Sequence, residues 1–350
     1  MADFIPYAEL TSEQKAMVDS TNRRDRSFAA INGYGFDKLI TDQDDWLVLM
    51  ELARQGYGLD RLFDHPVAEV RRMVARQGYA LDKLINDEKA GVRYAVAKQG
   101  YGLDKLITDP SSAVRGEVAF KGFGLDTLVN DPDAYVRTCV ARHGYGLDKL
   151  VEDPDSWVRQ TVANMGFGLD KLANDPEPDV RRSVAKQGHG LEKLITDPDA
   201  DVRCAVAEQG YGLDRLIEDP IEFVREEVAL HGYGLDRLID DESWTVRAAV
   251  AYSGYGLDKL ATDPHGEVRE AVDEALWDND LTLEEWIAQN PDKCVLLENK
   301  KPTLQQAHTY TPEKTVTNSF SPKDDIAQAR AVTSPCLRNH VQNPTRSQGR

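Results

Sequence analysis

Cysteine and long apolar runs are scarce in this sequence. Its 350 residues include four cysteines, which have neither the close spacing of zinc or iron–sulfur ligands nor the density of a disulfide framework. No stretch approaches the roughly 18 uninterrupted apolar residues of a membrane-spanning helix, and residues 1–13 lack the basic start and apolar core of a signal peptide. These absences predict a cytoplasmic protein without a metal site, a bound cofactor or a membrane segment.

Positive charge is also in short supply. The chain has 42 Lys and Arg against 60 Asp and Glu, and residues 33–276 hold 29 basic and 46 acidic side chains. Because affinity for nucleic acid comes mainly from clustered Lys and Arg, this acidic body is not expected to bind it. Residues 299–350 are the exception, with 8 basic and 3 acidic side chains.

The sequence is dominated by an internal repeat. A phrase close to Gly-Tyr-Gly-Leu-Asp-Lys-Leu recurs eleven times, and its first glycines are 22 residues apart except for a first interval of 23. A second phrase, Val-Arg, recurs ten times in the same register, from Val70-Arg71 to Val268-Arg269. Self-similarity at such a period is typical of solenoids.

One repeat, residues 100–121, predicts how each unit folds. Asp109 and Pro110 suit the N-cap and the first position of a helix of about twelve residues, and Gly122 suits its left-handed end. Between them an apolar stripe at helical spacing is formed by Val114, Val118 and Ala119. The remaining ten or so residues contain a Leu-x-x-Leu-Ile pattern and fit a short α- or 3₁₀-helix.

The Asp-Pro-x-x-x-Val-Arg pattern, as in residues 109–115, resembles the second-helix signature of HEAT and HEAT-like repeats. The short unit, with a Leu-x-x-Leu segment before each Asp-Pro, is more similar still to the leucine-rich repeat variant family. The resemblance covers residues 33–276. It implies an all-α fold, a right-handed α-solenoid of about eleven repeats in which an α-helix alternates with a 3₁₀-helix. The family's founding type carries an iron–sulfur segment ahead of its repeats, but residues 1–32 contain no cysteine, so that cofactor is not carried over.

The ends of the repeat array predict caps and a tail. Residues 1–32 are interpreted as an N-terminal capping segment with a helix over 12–30, and residues 277–298 as a C-terminal capping segment with a helix over Leu281–Gln289. Residues 299–350 are rich in Pro, Thr, Ser, Asn and Gln and have no hydrophobic period, which predicts a disordered basic tail.

Two charged columns run through the repeats in register. In nine of the ten units the Val-Arg arginine is preceded six residues earlier by an aspartate. The matching residues of HEAT repeats link neighbouring units, and partly buried arginines are normally paired, so we interpret the columns as a structural ladder. The alternative is an anion-binding row of arginines. The central members of the predicted ladder are Asp109, Arg115, Asp131, Arg137, Asp153, Arg159, Asp175 and Arg181.

Catalytic groups are not indicated in any column. Of the seven histidines, His308 and His340 lie in the tail, and the five within the repeats occupy different columns, except His143 and His231, which are four repeats apart. The prediction is a non-enzymatic scaffold, expected to be monomeric, that binds a protein or peptide along its extended surface. The alternatives are a HEAT-like enzyme, of a lyase or nucleic-acid-modifying type, and a solenoid that presents its basic tail to nucleic acid.

The position just before Val-Arg is a candidate for partner contacts. It carries large aromatics in three of ten units although other units have Asp or Gly there, which a core position would not tolerate. Exposed aromatics in consecutive repeats, about 10 Å apart, are typical of binding interfaces, and the helix N-termini beside them would favour an acidic group on the partner. The alternative is that these rings pack over a neighbouring turn. The predicted partner-binding residues are the three at this position, Tyr135, Trp157 and Phe223, together with Trp244, which lies one position earlier in its repeat.

Overall fold

The computed structural model describes residues 4–41 and 45–296, so the predicted tail at 299–350 lies outside the described residues. The chain forms two compact units, Met1–Gly168 and Leu169–Arg350, called unit 1 and unit 2 below. Regular secondary structure in the described residues is helical except for one isolated bridge near the N-terminus, with 25 α-helices and one 3₁₀-helix. None of these helices combines the length and the hydrophobicity that crossing a bilayer requires.

Unit 1 begins with a 3₁₀-helix and two capping helices and continues as alternating short and long helices. From α3 onward the short helices have four residues and the long ones nine. The elements are the 3₁₀-helix Tyr7–Glu9, α1 Ser12–Val18, α2 Arg23–Ile31, α3 Phe36–Leu39, α4 Trp46–Arg54, α5 Leu59–Leu62, α6 Ala68–Arg76, α7 Leu81–Leu84, α8 Ala90–Lys98, α9 Leu103–Leu106, α10 Ser112–Phe120, α11 Leu125–Leu128, α12 Ala134–Arg142, α13 Leu147–Leu150 and α14 Ser156–Asn164.

Unit 2 continues the alternation and ends in two longer elements. Its helices are α15 Leu169–Leu172, α16 Pro178–Lys186, α17 Leu191–Leu194, α18 Ala200–Glu208, α19 Leu213–Leu216, α20 Glu222–Leu230, α21 Leu235–Leu238, α22 Trp244–Tyr252, α23 Leu257–Leu260, α24 Gly266–Trp277 and α25 Leu283–Gln289. The predicted domain boundaries at residues 32, 276 and 298 stay predictions.

The long helix of each repeat is shorter than predicted because it begins later. In the repeat at 100–121 it is α10, and its N-cap is Ser111 rather than Asp109. Asp109 accepts a hydrogen bond from the backbone N–H of Ser111 at 2.9 Å, which closes a turn ahead of the helix. Pro110 lies inside that turn and is not the first helical residue.

Glycines end the long helix and precede the short one. Gly122 has a φ of +73° and its N–H bonds to the carbonyl of Ala119, so the predicted left-handed helix end is confirmed. Gly102 has a φ of +61° directly before α9, and a Cβ added there would lie 2.2 Å from Cδ1 of Ile85. The N–H of Leu106 bonds to the carbonyl of Gly102, four residues back, so α9 is one α-helical turn. Of the two helix types left open by the sequence, the structure has the α type, whereas the family resemblance implied 3₁₀.

Each long helix packs against the long helix of the next repeat within its unit. This holds from α2 to α14 in unit 1 and from α16 to α24 in unit 2. The predicted stripe residues Val114, Val118 and Ala119 are fully buried, and Leu106 of the short helix is almost fully buried. The expected all-α, solenoid-like stack of repeats is confirmed, and its right-handed superhelix stays a prediction.

The capping segments differ from prediction at the N-terminus. Two helices replace the single helix expected over 12–30, because Asn22 caps α2 by accepting a hydrogen bond from the N–H of Arg24 at 3.0 Å. At the other end, α24 is three residues longer than the other long helices, since Leu276 stands where they have a glycine. The predicted last helix is present as α25, with Thr282 as its N-cap and Trp286 buried.

Candidate binding surface

The two charged columns join each repeat to the next. Nε and Nη2 of Arg137 donate to the carboxylate oxygens of Asp153 at 2.6 and 2.8 Å, and Nη1 donates to the carbonyl of Asp131 at 2.7 Å. The Asp153 carboxylate also accepts the N–H of Asp155. The described residues include these bidentate pairs: Arg71–Asp87, Arg93–Asp109, Arg115–Asp131, Arg137–Asp153, Arg181–Asp197, Arg203–Asp219, Arg225–Asp241 and Arg247–Asp263.

The other two members of the predicted ladder make related contacts. In unit 1, Nη1 of Arg159 donates to the carbonyl of Asp153 at 2.8 Å, and in unit 2 Asp175 accepts the N–H of Glu177 at 3.0 Å. The hydrogen bond to Asp153 raises the pKa of Arg137 above its ordinary value. A guanidinium that already holds a carboxylate and a carbonyl has few donors left for an outside anion. The geometry therefore favours the structural interpretation of the ladder over anion binding.

Another column, which sequence reasoning missed, also links neighbouring repeats. The residue directly before the repeat's first glycine is Gln or His in seven of the eleven repeats. Nε2 of Gln77 donates to the carbonyl of Arg54 at 2.6 Å, and Nε2 of His143 lies 2.9 Å from the carbonyl of Phe120. These side chains satisfy carbonyls that the end of the preceding helix leaves without partners. His143 and His231, which share this column, are therefore explained by packing between repeats.

The Gly-aromatic-Gly and Asp-Lys positions form an exposed edge of the repeats. Tyr101, Phe123 and Tyr145 are 43%, 41% and 42% exposed, and Lys105 beside them is exposed too. The chemistry of this edge hardly changes along the chain, since its acid is Asp in every repeat except for Glu192. An exposed position therefore does not necessarily vary from one repeat to the next in this protein.

Variety is concentrated on one side of the long helix. The variable positions are the residue before Val-Arg and the first, second and fifth residues after Val-Arg. We call these four positions the variable face. Their offsets of three, four and seven residues place them together on an α-helix. The Val-Arg and the later Val-Ala between them are the same in nearly every repeat. Sequence reasoning identified only the first of the four positions, where aromatics alternate with Asp and Gly.

In unit 1 the variable face is aromatic and cationic. Its largest aromatics are Tyr94, Phe120, Tyr135 and Trp157, and its cations are Arg72, Arg76, Lys98 and Arg142. Phe120 is 59% exposed and Trp157 is 67% exposed. The hydroxyl of Tyr94 bonds to the buried carboxylate of Glu117, which together with burial raises the pKa of Tyr94 to about 12. The face thus offers apolar rings and positive charge, while one of its acids is occupied internally.

The four predicted partner-binding residues are divided between the units. Tyr135 and Trp157 lie on the variable face of unit 1, and the ring of Tyr135 covers Gly116, where an added Cβ would lie 2.3 Å from its Cε1. Tyr135 is nonetheless 48% exposed, so it is both a packing residue and a surface residue. In unit 2, Phe223 is half-buried and Trp244 stacks on a neighbouring histidine, with ring centroids 4.5 Å apart. Of the four, Trp157 offers the largest exposed fraction.

The helix N-termini predicted to attract an acidic partner are already capped. The N–H of Tyr135 bonds to the side chain of Asp133 at 2.9 Å, and the N–H of Trp157 bonds to the side chain of Asp155 at 2.8 Å. Each carboxylate lies where the partner's acid was expected, so that prediction is wrong for α12 and α14. Any attraction for an acidic partner in unit 1 must come from the side-chain cations.

A buried acid marks the variable face of unit 2. Glu227 is 8% exposed, and its Oε2 has no hydrogen-bond partner among the described residues. Burial, followed by the nearby charges of Glu208 and Glu226, raises the pKa of Glu227 to about 7, against an opposing effect of Lys186. Nε2 of His231 lies 3.6 Å from Oε1 of Glu227, and burial lowers the pKa of that histidine.

Glu227→Gln is expected to change how stability depends on pH. The carboxyl has an ordinary pKa of 4.5 and a raised one of about 7 in the fold, so its contribution is complete below pH 4.5 and is lost as the pH rises through 7. The free energy of unfolding of the variant, measured with urea and compared with that of the wild type, should therefore rise by about 2–3 kcal/mol as the pH increases from about 5 to about 9. Glu222→Gln, an exposed change in the same helix, should leave the pH profile unaltered. Parallel profiles for Glu227→Gln and the wild type would contradict the prediction.

Comparisons with known proteins do not assign this surface to a known site. No protein-family model matches the chain, and no curated protein matches it significantly. The resemblance to the leucine-rich repeat variant and HEAT-like families stays a prediction. The function is therefore inferred from the residues of the variable face and the edge.

Proposed function

We propose that this protein is a non-enzymatic cytoplasmic scaffold of the leucine-rich repeat variant or HEAT-like type, which binds a protein or peptide along the variable face. The observation that supports this is the contrast between the variable face and the edge. In unit 1 the edge is largely exposed, and so are two positions of the variable face, the residue before Val-Arg and the fifth residue after it. The edge repeats one chemistry, yet these two positions change from repeat to repeat. Contact with water alone gives no reason for one exposed surface to vary in sequence while another stays constant. Recognition of an irregular partner would give such a reason.

The packing of the repeats leaves this face open to such a role. The Val-Arg and Val-Ala positions bury their apolar side chains and form the ladder, so stacking depends mainly on them. Some members of the variable face, such as Met73 and Cys139, are buried as well, whereas Phe120 and Trp157 remain exposed. Large exposed rings on a rigid helix are also inexpensive to order on binding, which is why aromatics are enriched at interface hot spots. Trp157 and Phe120 are the most exposed rings of the unit 1 face.

Site-specific photocrosslinking in the protein's native cells tests the proposal. A benzophenone amino acid placed at Phe120 or at Trp157 should give the same polypeptide adduct, identified by mass spectrometry. The same group placed at Tyr101 or Lys105 on the edge should give none. Adducts of equal yield from the edge and the face would show that the partner does not use the variable face.

A pair of double variants completes the test. Tyr135→Ala/Trp157→Ala should abolish the adduct formed at Phe120, because it removes two exposed rings from the same face. Tyr101→Ala/Tyr145→Ala removes two edge rings that are 43% and 42% exposed and should leave the adduct intact. Circular dichroism of both proteins checks that the helices are retained. Loss of the adduct in both, or in neither, would contradict the proposed face.

A further inference from the structure

Four cations on the variable face of unit 1 have no carboxylate partner in the described part of the chain. They are Arg72, Arg76, Lys98 and Arg142. The Nε of Arg72 is buried and makes no hydrogen bond among the described residues. This contrasts with the ladder arginines, each of which holds an aspartate through two bonds. In a body with more acids than bases, these cations are held apart from the carboxylates that could neutralise them.

The unpaired cations lie among the rings of the same face. Arg76 is close enough to Tyr94, and Arg142 to Tyr135, for their charges to act on the phenol groups. The acids of the face are few: Glu117 is buried and bonded to Tyr94, which leaves the exposed Glu69. A ligand on this surface would meet positive charge and apolar rings side by side.

The spacing of these groups indicates the shape of the ligand. Arg76, Lys98, Phe120 and Arg142 occupy one position of the variable face in four consecutive long helices, α6, α8, α10 and α12. Packed helices lie about 8–10 Å apart, so the four side chains form a row with that step. A polyproline II segment has three residues per turn and rises about 3.1 Å per residue, which brings every third side chain to the same side about 9 Å further on.

We propose, on the basis of the proposed scaffold function, that the variable face of unit 1 binds an extended acidic peptide whose every third residue meets this row. Three of the four contacts are acidic side chains, opposite Arg76, Lys98 and Arg142. The fourth is an apolar side chain opposite Phe120. The motif is acidic-x-x-acidic-x-x-apolar-x-x-acidic, in one chain direction or the other. An extended chain also loses little entropy on binding when proline preorganises it.

A single-stranded nucleic acid is the competing ligand, since cations and rings also suit phosphates and bases. The charge of the body argues against it. Residues 33–276 hold 46 acidic side chains against 29 basic ones, so the unbroken series of phosphates along a strand would be repelled by the net negative charge of the body. A peptide can restrict its acids to the positions that meet cations.

Fluorescence anisotropy with the full-length protein and synthetic peptides tests the register. One peptide pair carries Glu at the three acidic positions and Leu at the apolar one, with Ala-Pro between them, in the two chain directions. A second pair carries the same four residues at every fourth position, with Ala-Pro-Ala between them, and three Ala residues added at the ends of the first pair give both pairs the same length and composition. A third pair is the first pair with Glu replaced by Gln. We expect the better of the first pair to bind at least about tenfold more tightly than the others, with an affinity that falls as salt rises. Equal affinity for the three-residue and four-residue spacings would overturn the register.

Charge reversal locates the peptide on the protein. Arg76→Glu/Lys98→Glu/Arg142→Glu should weaken the best peptide by at least about tenfold. Arg61→Glu/Lys105→Glu/Lys149→Glu makes the same charge change on the exposed edge and should weaken it by no more than about twofold. Equal weakening by the two triple variants would overturn the proposed row. An oligothymidylate, which represents single-stranded nucleic acid, would also overturn it if it bound the wild-type protein more tightly than the best peptide does. If the photocrosslinks at Phe120 and Trp157 form while none of these peptides binds, the scaffold function stands and the acidic partner is wrong.

Discussion

Arg137→Ala is expected to lower the free energy of unfolding by about 3–5 kcal/mol. The side chain of Arg137 is 12% exposed and that of Asp153 is 4% exposed, so the change leaves a carboxylate buried with only the N–H of Asp155 as a donor. It also removes the donor to the carbonyl of Asp131. The first loss falls on the contact between two consecutive repeats, and the second falls within the repeat that contains Arg137. Urea unfolding followed by far-UV circular dichroism measures the change.

Two further variants separate the ion pair from a general effect of truncation. Lys149→Ala removes an exposed cation that donates to Asn130 and should change stability by no more than about 0.5 kcal/mol. Arg137→Met/Asp153→Leu removes both charges and should recover a large part of the loss, because no charge remains buried without a partner. If Arg137→Ala costs no more than Lys149→Ala, the ladder does not stabilise the stack.

The repeat register made the fold predictable from the sequence. The residue at which each long helix begins was not predictable. A 22-residue period with an apolar stripe and a glycine stop leaves room for one long helix and one short one, as observed. The N-cap was misplaced because two different turns share one sequence signal. Asp131 accepts the N–H of Asp133, and Asp133 accepts the N–H of Tyr135, so an aspartate two residues before its donor describes both the turn and the cap. Only the backbone geometry distinguishes them.

The candidate site was only partly predictable, and for a different reason. Aromatics such as Trp157 attract notice in a sequence because they are uncommon on a surface. Cations such as Arg76 do not, because a charge on a helix is usually solvated. The repeat register predicts that the Val-Arg arginines hold an aspartate. It does not predict that Arg76 and Arg142 lack a carboxylate partner among the described residues, because that depends on which side chains the fold brings within reach. The structure separates the two kinds of arginine, and it reveals the cationic row.

A large packing effect is expected at Gly146, which lies between Tyr145 and the short helix α13. Gly146→Ala should lower the free energy of unfolding by about 2–4 kcal/mol, from about 1–2 kcal/mol of left-handed backbone strain and about 1–3 kcal/mol of overpacking. Its φ is +63°, and an added Cβ would lie 2.5 Å from Cγ2 of Val129 in the preceding repeat. Valine is stiff at χ1, so its methyl group cannot turn away without strain. Thermal or urea unfolding measures the change.

Gly144 and Ala80 supply the matched controls for this prediction. Gly144 has a φ of +70° but nothing within 4 Å of an added Cβ, so Gly144→Ala should show the strain alone, about 1–2 kcal/mol. Ala80 stands where other repeats have the glycine equivalent to Gly146 and has a φ of +52°, so Ala80→Gly should stabilise the protein by about 0.5–1 kcal/mol. The order of stability should be Ala80→Gly above wild type, then Gly144→Ala, then Gly146→Ala. Equal losses at Gly144 and Gly146 would mean that backbone conformation, and not the close approach of Val129, makes glycine necessary at the start of the short helix.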